Sequence, residues 1–402
     1  MTETVSRTDA PTARHAVSVG AGATLTTIVC VLPVFLVGGL AVQLADELRF
    51  SPAGLGLAVS IYFGVSALAS VPSGALVERF GPAPVARAAI LLSAASLLAV
   101  AGLARSYPVL VALLALSAAA NALGQLASNA ALAEHVPAHR QGLSFGVKQA
   151  AVPAATLLAG LAVPTVALTA GWRWAFVAAA AAALAALPAV PRAGRDRRAR
   201  TASGRRNGGT GPLVVIGLAA TLAAAAANAL GTFLVDSSAA RGLSPGLAGL
   251  TLTLGSVVCV LARVGLGWLA DRRTGGHVGL IAGMLLTGSV GLILLAVTGS
   301  VPLIAGVVLG FGLGWAWPGL MNFAVVRLHP QAPAAATSIT QTGVYAGGCL
   351  GPLGLGALAG ASGYPAMWLT AAAAMLLAAL LMLLGARLLR PTPPGPAQLR
   401  RS

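Results

Sequence analysis

Long apolar runs alternate with short breaks of polar, glycine or proline residues along nearly the whole chain. A membrane-crossing α-helix needs roughly 17–25 apolar residues, and twelve runs meet that length. The predicted spans, numbered 1 to 12, are 20–45, 53–76, 84–104, 108–131, 143–168, 172–190, 213–236, 246–270, 278–298, 302–326, 334–358 and 365–387. Span 5 is the least regular, because Lys148 and Gln149 interrupt it. The pattern predicts an all-α membrane protein.

Three polar segments lie outside the spans: a tail over 1–19, a linker over 191–212 and a second tail over 388–402. The linker contains RAGRDRRARTASGRRNGG, which is too basic to enter lipid and reads as a flexible connection. The first tail carries Arg7 and Arg14, but the apolar run that follows is too long for a signal-peptide core. We therefore expect a retained first helix.

The chain repeats itself at an offset of about 193 residues, as shown by SPAGLGLAVS from Ser51 and SPGLAGLTLT from Ser244. Further pairs at this offset, or at 192, are Gly74 with Gly267, Glu78 with Asp271, Arg79 with Arg272, Gln149 with Gln341, and Gly171 with Gly363. Six spans in each repeat give both the same orientation in the bilayer. The sequence thus predicts two parallel six-helix halves, over 20–190 and 213–387.

The composition agrees with a chain that lies mostly in lipid. Hydrophobic residues make up 57% and charged residues 8%, whereas soluble domains carry roughly 25% charged residues. The net charge of +16 does not indicate nucleic-acid binding, because no stripe of basic and aromatic residues accompanies it. We expect the bilayer and a small-molecule substrate as partners, no nucleic acid, and a monomer.

The arginines predict the topology. With the N-terminus in the cytoplasm, 19 arginines lie in cytoplasmic segments, one lies within span 8, and four lie outside, namely Arg49, Arg105, Arg173 and Arg241. Positive residues favour the cytoplasmic side, so both termini are predicted to be cytoplasmic. A single lysine, Lys148, among 25 basic residues and the richness in alanine and glycine are typical of a high-GC bacterial genome. The predicted location is the bacterial inner membrane.

Two related motifs follow spans 2 and 8: GALVERFG at 74–81 and GWLADRRTG at 267–275. Both resemble the GxLxDRxGRR signature of the major facilitator superfamily. The resemblance implies a twelve-helix transporter that works by alternating access, with its site between the halves near mid-membrane. It also implies that the motifs act as breakable cytoplasmic latches rather than static anchors. The residues concerned are Gly74, Glu78, Arg79, Gly81, Gly267, Asp271 and Arg272.

The first motif departs from the signature more than the second. It has Glu78 in place of Asp, and Pro82 and Ala83 in place of the trailing basic pair. The second copy keeps Asp271 and follows the pattern better. We therefore predict that the second latch is the stronger one.

Ionisable residues at membrane depth are functional-site candidates. Lys148 in span 5 and Arg263 in span 8 lie on the order of 10 Å from the cytoplasmic side, and the resemblance places these spans opposite each other. Neither has an acidic partner within its span, which favours a small organic anion such as a carboxylate as substrate. The alternatives are a structural role for Arg263 and a Lys148 side chain that snorkels to the interface.

Amides and aromatics on spans that the resemblance places around the cavity complete the predicted substrate site. These are Asn121, Gln125, Gln149, Asn228, Asn322, Gln341, Trp315, Tyr62 and Tyr345. For the amides the alternative is hydrogen bonding between helices, and for the aromatics it is packing.

Proton-coupled drug or metabolite efflux is the main alternative function. Antiporters of the resembled superfamily carry an Arg in span 4 and GPxxGG in span 5, whereas this chain has Ala120 there and VKQAAVPAATLLAG. No Asp or Glu lies near the centre of a span.

A non-transporting sensor is a distant alternative. An enzyme is not expected, because no P-loop, HExxH or GxSxG occurs, and we predict no metal or cofactor.

Overall fold

A computed structural model describes residues 13–136, 141–190, 210–273, 275–328 and 333–389, and their regular structure is helical. Most of the predicted linker and tails therefore lies outside the described residues. The helices are α1 (Ala13–Gly39), α2 (Ala41–Leu48), α3 (Pro52–Phe80), α4 (Pro82–Leu103), α5 (Tyr107–His135), α6 (Gln141–Gln149), α7 (Ala151–Ala162), α8 (Trp172–Ala186), α9 (Thr210–Ala240), α10 (Pro245–Arg272), α11 (His277–Ala296), α12 (Ser300–Leu309), α13 (Trp317–Leu328) and α14 (Pro333–Leu388).

Each predicted span corresponds to one helix, to two helices joined at a break, or to part of α14. Span 1 comprises α1 and α2, span 5 comprises α6, α7 and a π-helical turn over Val163–Ala167, and span 10 comprises α12, a π-helical turn over Gly310–Gly314, and α13. Eleven helical stretches of the described chain are long and apolar enough to cross a membrane. The last stretch holds spans 11 and 12, because Gly363 interrupts α14. The prediction of twelve spans is confirmed.

The turn that ends the fifth span of each half has the same backbone conformation in both repeats. Gly171 has φ 99° and ψ 153°, and its repeat partner Gly363 has φ 81° and ψ 170°. Residues with a Cβ rarely adopt such angles. The sequence repeat is therefore also a structural repeat.

The surface of the helix bundle is apolar where a soluble protein would be polar. Leu68, Val71, Leu261 and Val301 are each at least 67% exposed. Lipid solvates such side chains at no cost, whereas every backbone polar group within the bilayer needs an internal partner, which a helix provides. The structure is that of a multi-pass membrane protein.

The two halves meet along two long seams. On one seam α3 packs against the part of α14 that precedes Gly363, and on the other α6 and α7 pack against α10. We call the side of the bundle on which α3 ends, α6 begins and α10 ends the linker face, and the other side the opposite face. The candidate site lies on the second of these seams.

Candidate functional site

On the linker face, the end of α10 meets the start of α6. The carboxylate of Asp271 accepts a hydrogen bond of 3.0 Å from the backbone N–H of Leu143. Because α6 begins at Gln141, this N–H is among the first four of the helix, which have no acceptor within it. The partial positive charge at a helix start also favours a carboxylate. The second copy of the motif thus joins one half of the protein to the other.

The glycine of the second motif permits this close approach. A Cβ on Gly267 would lie 3.1 Å from the carbonyl oxygen of Gly142 and 3.2 Å from the Cα of Gly146. Both distances are tighter than ordinary van der Waals contact. Arg272 stacks over the ring of Trp268, with its guanidinium carbon 3.7 Å from the ring centroid, and so stays on its own helix.

The first copy of the motif has looser surroundings. A Cβ on Gly74 would meet no atom within 4 Å, Glu78 and Arg79 are exposed, and Gly81 ends α3 with φ 84°. The side chains at the start of α14, across this seam, lie outside the described ones. In the described part of the chain, the tightly packed motif is the second, and the greater strength of its latch stays a prediction.

Lys148 lies seven residues after Gln141, the first residue of α6, which is about 10 Å along the helix. Its side chain is buried, with 3% exposure. The ammonium donates a hydrogen bond to the side-chain oxygen of Gln125 on α5. An ammonium has three donors, and this acceptor is neutral. The snorkelling alternative requires the Lys148 side chain to extend to the membrane interface, and the buried side chain does not do so.

Arg263 connects three helical segments. Its guanidinium donates to the backbone carbonyl of Trp315 from Nε at 3.2 Å and from Nη2 at 2.6 Å, and to the backbone carbonyl of Gln149 from Nη1. The side chain is buried, with 3% exposure. Because Gln149 belongs to the first half and Trp315 to the second, the guanidinium bridges the seam.

Both acceptor carbonyls lie at helix breaks. α6 ends at Gln149, and Pro153, four residues on, has no N–H with which to continue the helical ladder to that carbonyl. Trp315 follows the π-helical turn over Gly310–Gly314 and precedes α13. A buried carbonyl without a donor is costly. Arg263 supplies donors at both breaks.

The two cations share one environment. Arg263 binds the carbonyl of Gln149, the residue that follows Lys148 on α6. Among the described side chains, no carboxylate lies within ion-pair distance of either cation. The ion pair that the structure describes joins Arg173 to Glu47 near the opposite face. The seam thus carries positive charge that described carboxylates do not neutralise.

Trp315 forms an aromatic wall beside Arg263. Its ring packs edge-on against Phe35 of α1, with centroids 5.8 Å apart, and against Phe311, with centroids 5.3 Å apart. The guanidinium carbon of Arg263 is 5.9 Å from the Trp315 ring centroid. Trp315 is buried, with 4% exposure. This wall is formed by both halves.

Asn121 lies one helical turn from Gln125 on α5 and contacts α3. Its Nδ2 donates to Ser66 Oγ at 3.1 Å, and Ser66 Oγ donates to the Ala118 carbonyl at 3.1 Å. Because the Ser66 hydrogen is used on that carbonyl, the amide orientation of Asn121 is fixed. Its Oδ1 is buried and has no hydrogen-bond partner among the described residues. Asn121 therefore joins helices and also offers a free acceptor.

The remaining predicted residues are distributed more widely. Tyr62 of α3 donates to the Cys30 carbonyl of α1 at 3.0 Å, and Asn228 donates to the Ala224 carbonyl of its own helix at 2.8 Å. Gln341 and Tyr345 are half-buried on the part of α14 that packs against α3. Asn322 is half-buried on α13. The one side-chain hydrogen bond described for Lys148 goes to Gln125 and not to any of these five candidates.

Sequence reasoning missed one polar contact across the seam. The hydroxyls of Thr156 on α7 and Ser256 on α10 are 2.6 Å apart, and both are fully buried. Thr156 and Ser256 do not occupy equivalent positions of the two repeats. Because hydroxyl side chains occur in most of the spans, neither residue could be singled out from the sequence. Their contact depends on which faces of two helices meet.

A family model described as Major Facilitator Superfamily matches the chain twice, over residues 23–215 and 216–402. Among solved structures, the chain is similar to a mutant form of the nucleoside transporter NupG, with a TM-score of 0.71 and 12% identity, over 92% of this chain and 99% of that one. It is also similar to a bacterial homologue of the human lysosomal transporter Spinster, in an inward-facing and occupied conformation. That match has a TM-score of 0.70 and 15% identity, over 96% of this chain and 100% of the other. At these identities the solved structures show a shared fold.

Proposed function

The chain belongs to the Major Facilitator Superfamily and is a transporter of small molecules, and from that premise we propose that its substrate is a small organic anion carried by alternating access. The observation that carries this proposal is the buried ammonium of Lys148, next in sequence to the residue that Arg263 binds and without a carboxylate partner among the described side chains. A buried charge is normally paired. A carboxylate on the substrate supplies the missing negative charge.

Lys148 is the proposed ligand of the substrate carboxylate. Its hydrogen bond to Gln125 uses one of three donors, which leaves two for the substrate. Trp315 forms an apolar wall beside Arg263. The free Oδ1 of Asn121 is a hydrogen-bond acceptor one turn before Gln125 on α5. An anion with a hydrogen-bond donor elsewhere in its skeleton, such as a hydroxy or amino acid, matches both groups.

We propose that the linker face is cytoplasmic in the bacterial inner membrane, which places both termini in the cytoplasm. The distribution of arginines supports this orientation. In the described state, the Asp271 latch and the α6–α10 seam hold the linker face together on that side. Alternating access then requires this contact to break while the halves rock about the central site.

Uptake into proteoliposomes tests the proposal. The panel contains mono- and dicarboxylates, hydroxy acids, amino acids, neutral nucleosides and cationic dyes, measured with the parent, Lys148→Met and Lys148→Arg. We expect carboxylate uptake, with a KM that rises about tenfold or more in Lys148→Met, because charge-assisted hydrogen bonds are among the strong ones. Lys148→Arg keeps the charge and should retain much of the uptake.

Ser289→Ala is the matched control, because Ser289 is buried on α11 and bonds to its own helix. It should leave the KM unchanged. Transport of cationic dyes with no carboxylate uptake, and with equal rates in the parent and in Lys148→Met, would contradict the anion proposal. That result would favour the alternative, proton-coupled efflux of drugs or metabolites.

A further inference from the structure

Arg263 uses its donors differently from Lys148. Each of its three nitrogens donates to a main-chain carbonyl, which uses three of the five N–H donors of the guanidinium, so the protein itself already holds this cation. We propose that Arg263 is a positioning residue rather than a substrate ligand. It fastens the break in span 5 to the break in span 10 and thereby holds the α6–α10 seam closed. This role goes beyond the proposed function and does not depend on the identity of the substrate.

The negative charge that balances Arg263 comes from the backbone. Gln149 is the last residue of α6, and Trp315 follows the π-helical turn that continues α12. Carbonyls at the C-terminal ends of helices carry partial negative charge. Two such ends point at one guanidinium, whose planar fork can serve both at once. A buried arginine without a carboxylate is thus accounted for.

The break in span 5 follows from a single residue. An alanine at position 153 would present an N–H to the Gln149 carbonyl, whereas Pro153 presents none. The carbonyl is therefore free to accept from Arg263 on the other half of the protein. Because Lys148 precedes Gln149, the same bond also fixes the backbone that carries the proposed substrate ligand.

Opening of this seam requires that the bond from Arg263 to Gln149 be broken. The bonds from Arg263 to Trp315 lie within the second half and can persist. Arg263 then moves with α10, and water that enters the open seam solvates the Gln149 carbonyl. Opening therefore exchanges a charge-assisted hydrogen bond for a bond to water, whereas without Arg263 the carbonyl would be buried and unsatisfied only in the closed state, so the residue sets the balance between closed and open states.

Spin-label distances measure this balance without any substrate. Labels on Val147 of α6 and Leu261 of α10 face outward, since these side chains are 38% and 67% exposed. Cys30, Cys259 and Cys349 are replaced by serine, because Cys259 lies four residues before Arg263 on α10 and would be reached by the labelling reagent when the seam opens. In Arg263→Met we expect the ratio of open to closed distances to rise roughly tenfold, because a buried carbonyl loses a charged donor.

Restoring the missing N–H should reverse the effect. In Arg263→Met/Pro153→Ala, the new N–H takes the Gln149 carbonyl, and the open fraction should fall at least halfway back to that of the parent. Thr156→Val is the matched control, because it removes a different polar contact on this seam, the one with Ser256, and Pro153→Ala should not correct it. Arg263→Lys keeps the charge but lacks the planar guanidinium that binds two carbonyls at once. It replaces the methionine variant if that variant does not fold, and it should open the seam to a smaller extent.

The readouts separate a positioning residue from other roles. In transport, Arg263→Lys should lower the maximal rate while the KM changes less than threefold, whereas loss of a substrate ligand raises the KM. The proposal is overturned if the distance distribution of the Arg263 variants equals that of the parent, or if Pro153→Ala rescues nothing. Both results can be obtained whatever the substrate proves to be.

Discussion

Asp271 of the second half binds the first turn of a helix in the first half, through the backbone N–H of Leu143 at 3.0 Å. The contact combines a hydrogen bond with the attraction between a carboxylate and a helix start. Asp271 lies eight residues after Arg263 on α10, whose last residue is Arg272. The α6–α10 seam is therefore held at two levels, at the linker face by Asp271 and further inside by Arg263.

Asp271→Asn should weaken the contact at the linker face. The amide can still accept the hydrogen bond, but it lacks the charge that the helix start favours, so we expect a shift of about two- to fivefold towards the open state. The measurement is the rate at which an impermeant thiol reagent modifies Ser144→Cys from the linker face. Glu78→Gln is the control, because Glu78 is exposed. Equal modification rates in the two variants would argue against the asymmetry of the latches.

The glycines of the two motifs should respond differently to alanine. A Cβ on Gly267 would press on the backbone of Gly142 and Gly146, whereas a Cβ on Gly74 would meet no atom within 4 Å. Backbone cannot yield as a flexible side chain does, so Gly267→Ala should separate α10 from α6. We expect a lower melting temperature and at least a tenfold loss of transport for Gly267→Ala, an overpacking effect of roughly 1–3 kcal/mol. Gly74→Ala should stay within twofold of the parent, and a comparable loss there would count against the observed packing.

The sequence predicted the features that depend on local composition. Apolar run lengths gave the spans, and the repeat gave the paired turns at Gly171 and Gly363. The irregularity of span 5 was visible in Lys148 and Gln149, and the structure breaks the helix at the next residue, Ala150. These features follow from lipid solvation and backbone geometry, which act residue by residue.

Contacts across the seam could not be predicted in the same way. Arg263 was identified from its depth, but its acceptors are backbone carbonyls, which every residue possesses. Which carbonyls are free depends on the breaks in two other spans, one of them caused by Pro153. The role of Lys148 as a substrate ligand stays a prediction, and for Arg263 we propose a positioning role instead. The partner of Asn121, Ser66, likewise depends on helix packing.

Glu47 should make stability depend on pH at the opposite face. Hydrogen bonds from Arg173 and then Trp172 hold the pKa of the Glu47 carboxyl below its ordinary value. The folded pKa is thus lower than about 4.3, the value for an unfolded chain, so the stabilisation is complete above that pH and is lost as the pH falls through the folded pKa. The contribution is less than about 1 kcal/mol, because the Glu47 side chain is 44% exposed.

Melting temperatures of the parent and Glu47→Gln, in detergent, test this dependence. The difference between them should be largest near pH 7 and should vanish once the pH has fallen below the folded pKa of Glu47, where the carboxylate is protonated. Arg173→Met removes the principal cause of the shift and should reduce the difference at pH 7. A difference that grows as the pH falls would have the wrong sign for a depressed pKa.

A cysteine at position 64 should join the two halves along the other seam. A Cβ on Gly64 of α3 would lie 3.4 Å from the sulfur of Cys349 on α14, close enough for a disulfide after a small adjustment. Under a mild oxidant, Gly64→Cys should keep both halves linked after cleavage at a protease site inserted in the linker, until a reductant is added. Transport should stop on oxidation and return on reduction, because α3 and α14 can no longer separate. Gly74→Cys, in open surroundings on the same helix, should not cross-link, and full transport by the oxidised Gly64→Cys protein would mean that the α3–α14 seam does not open during the cycle.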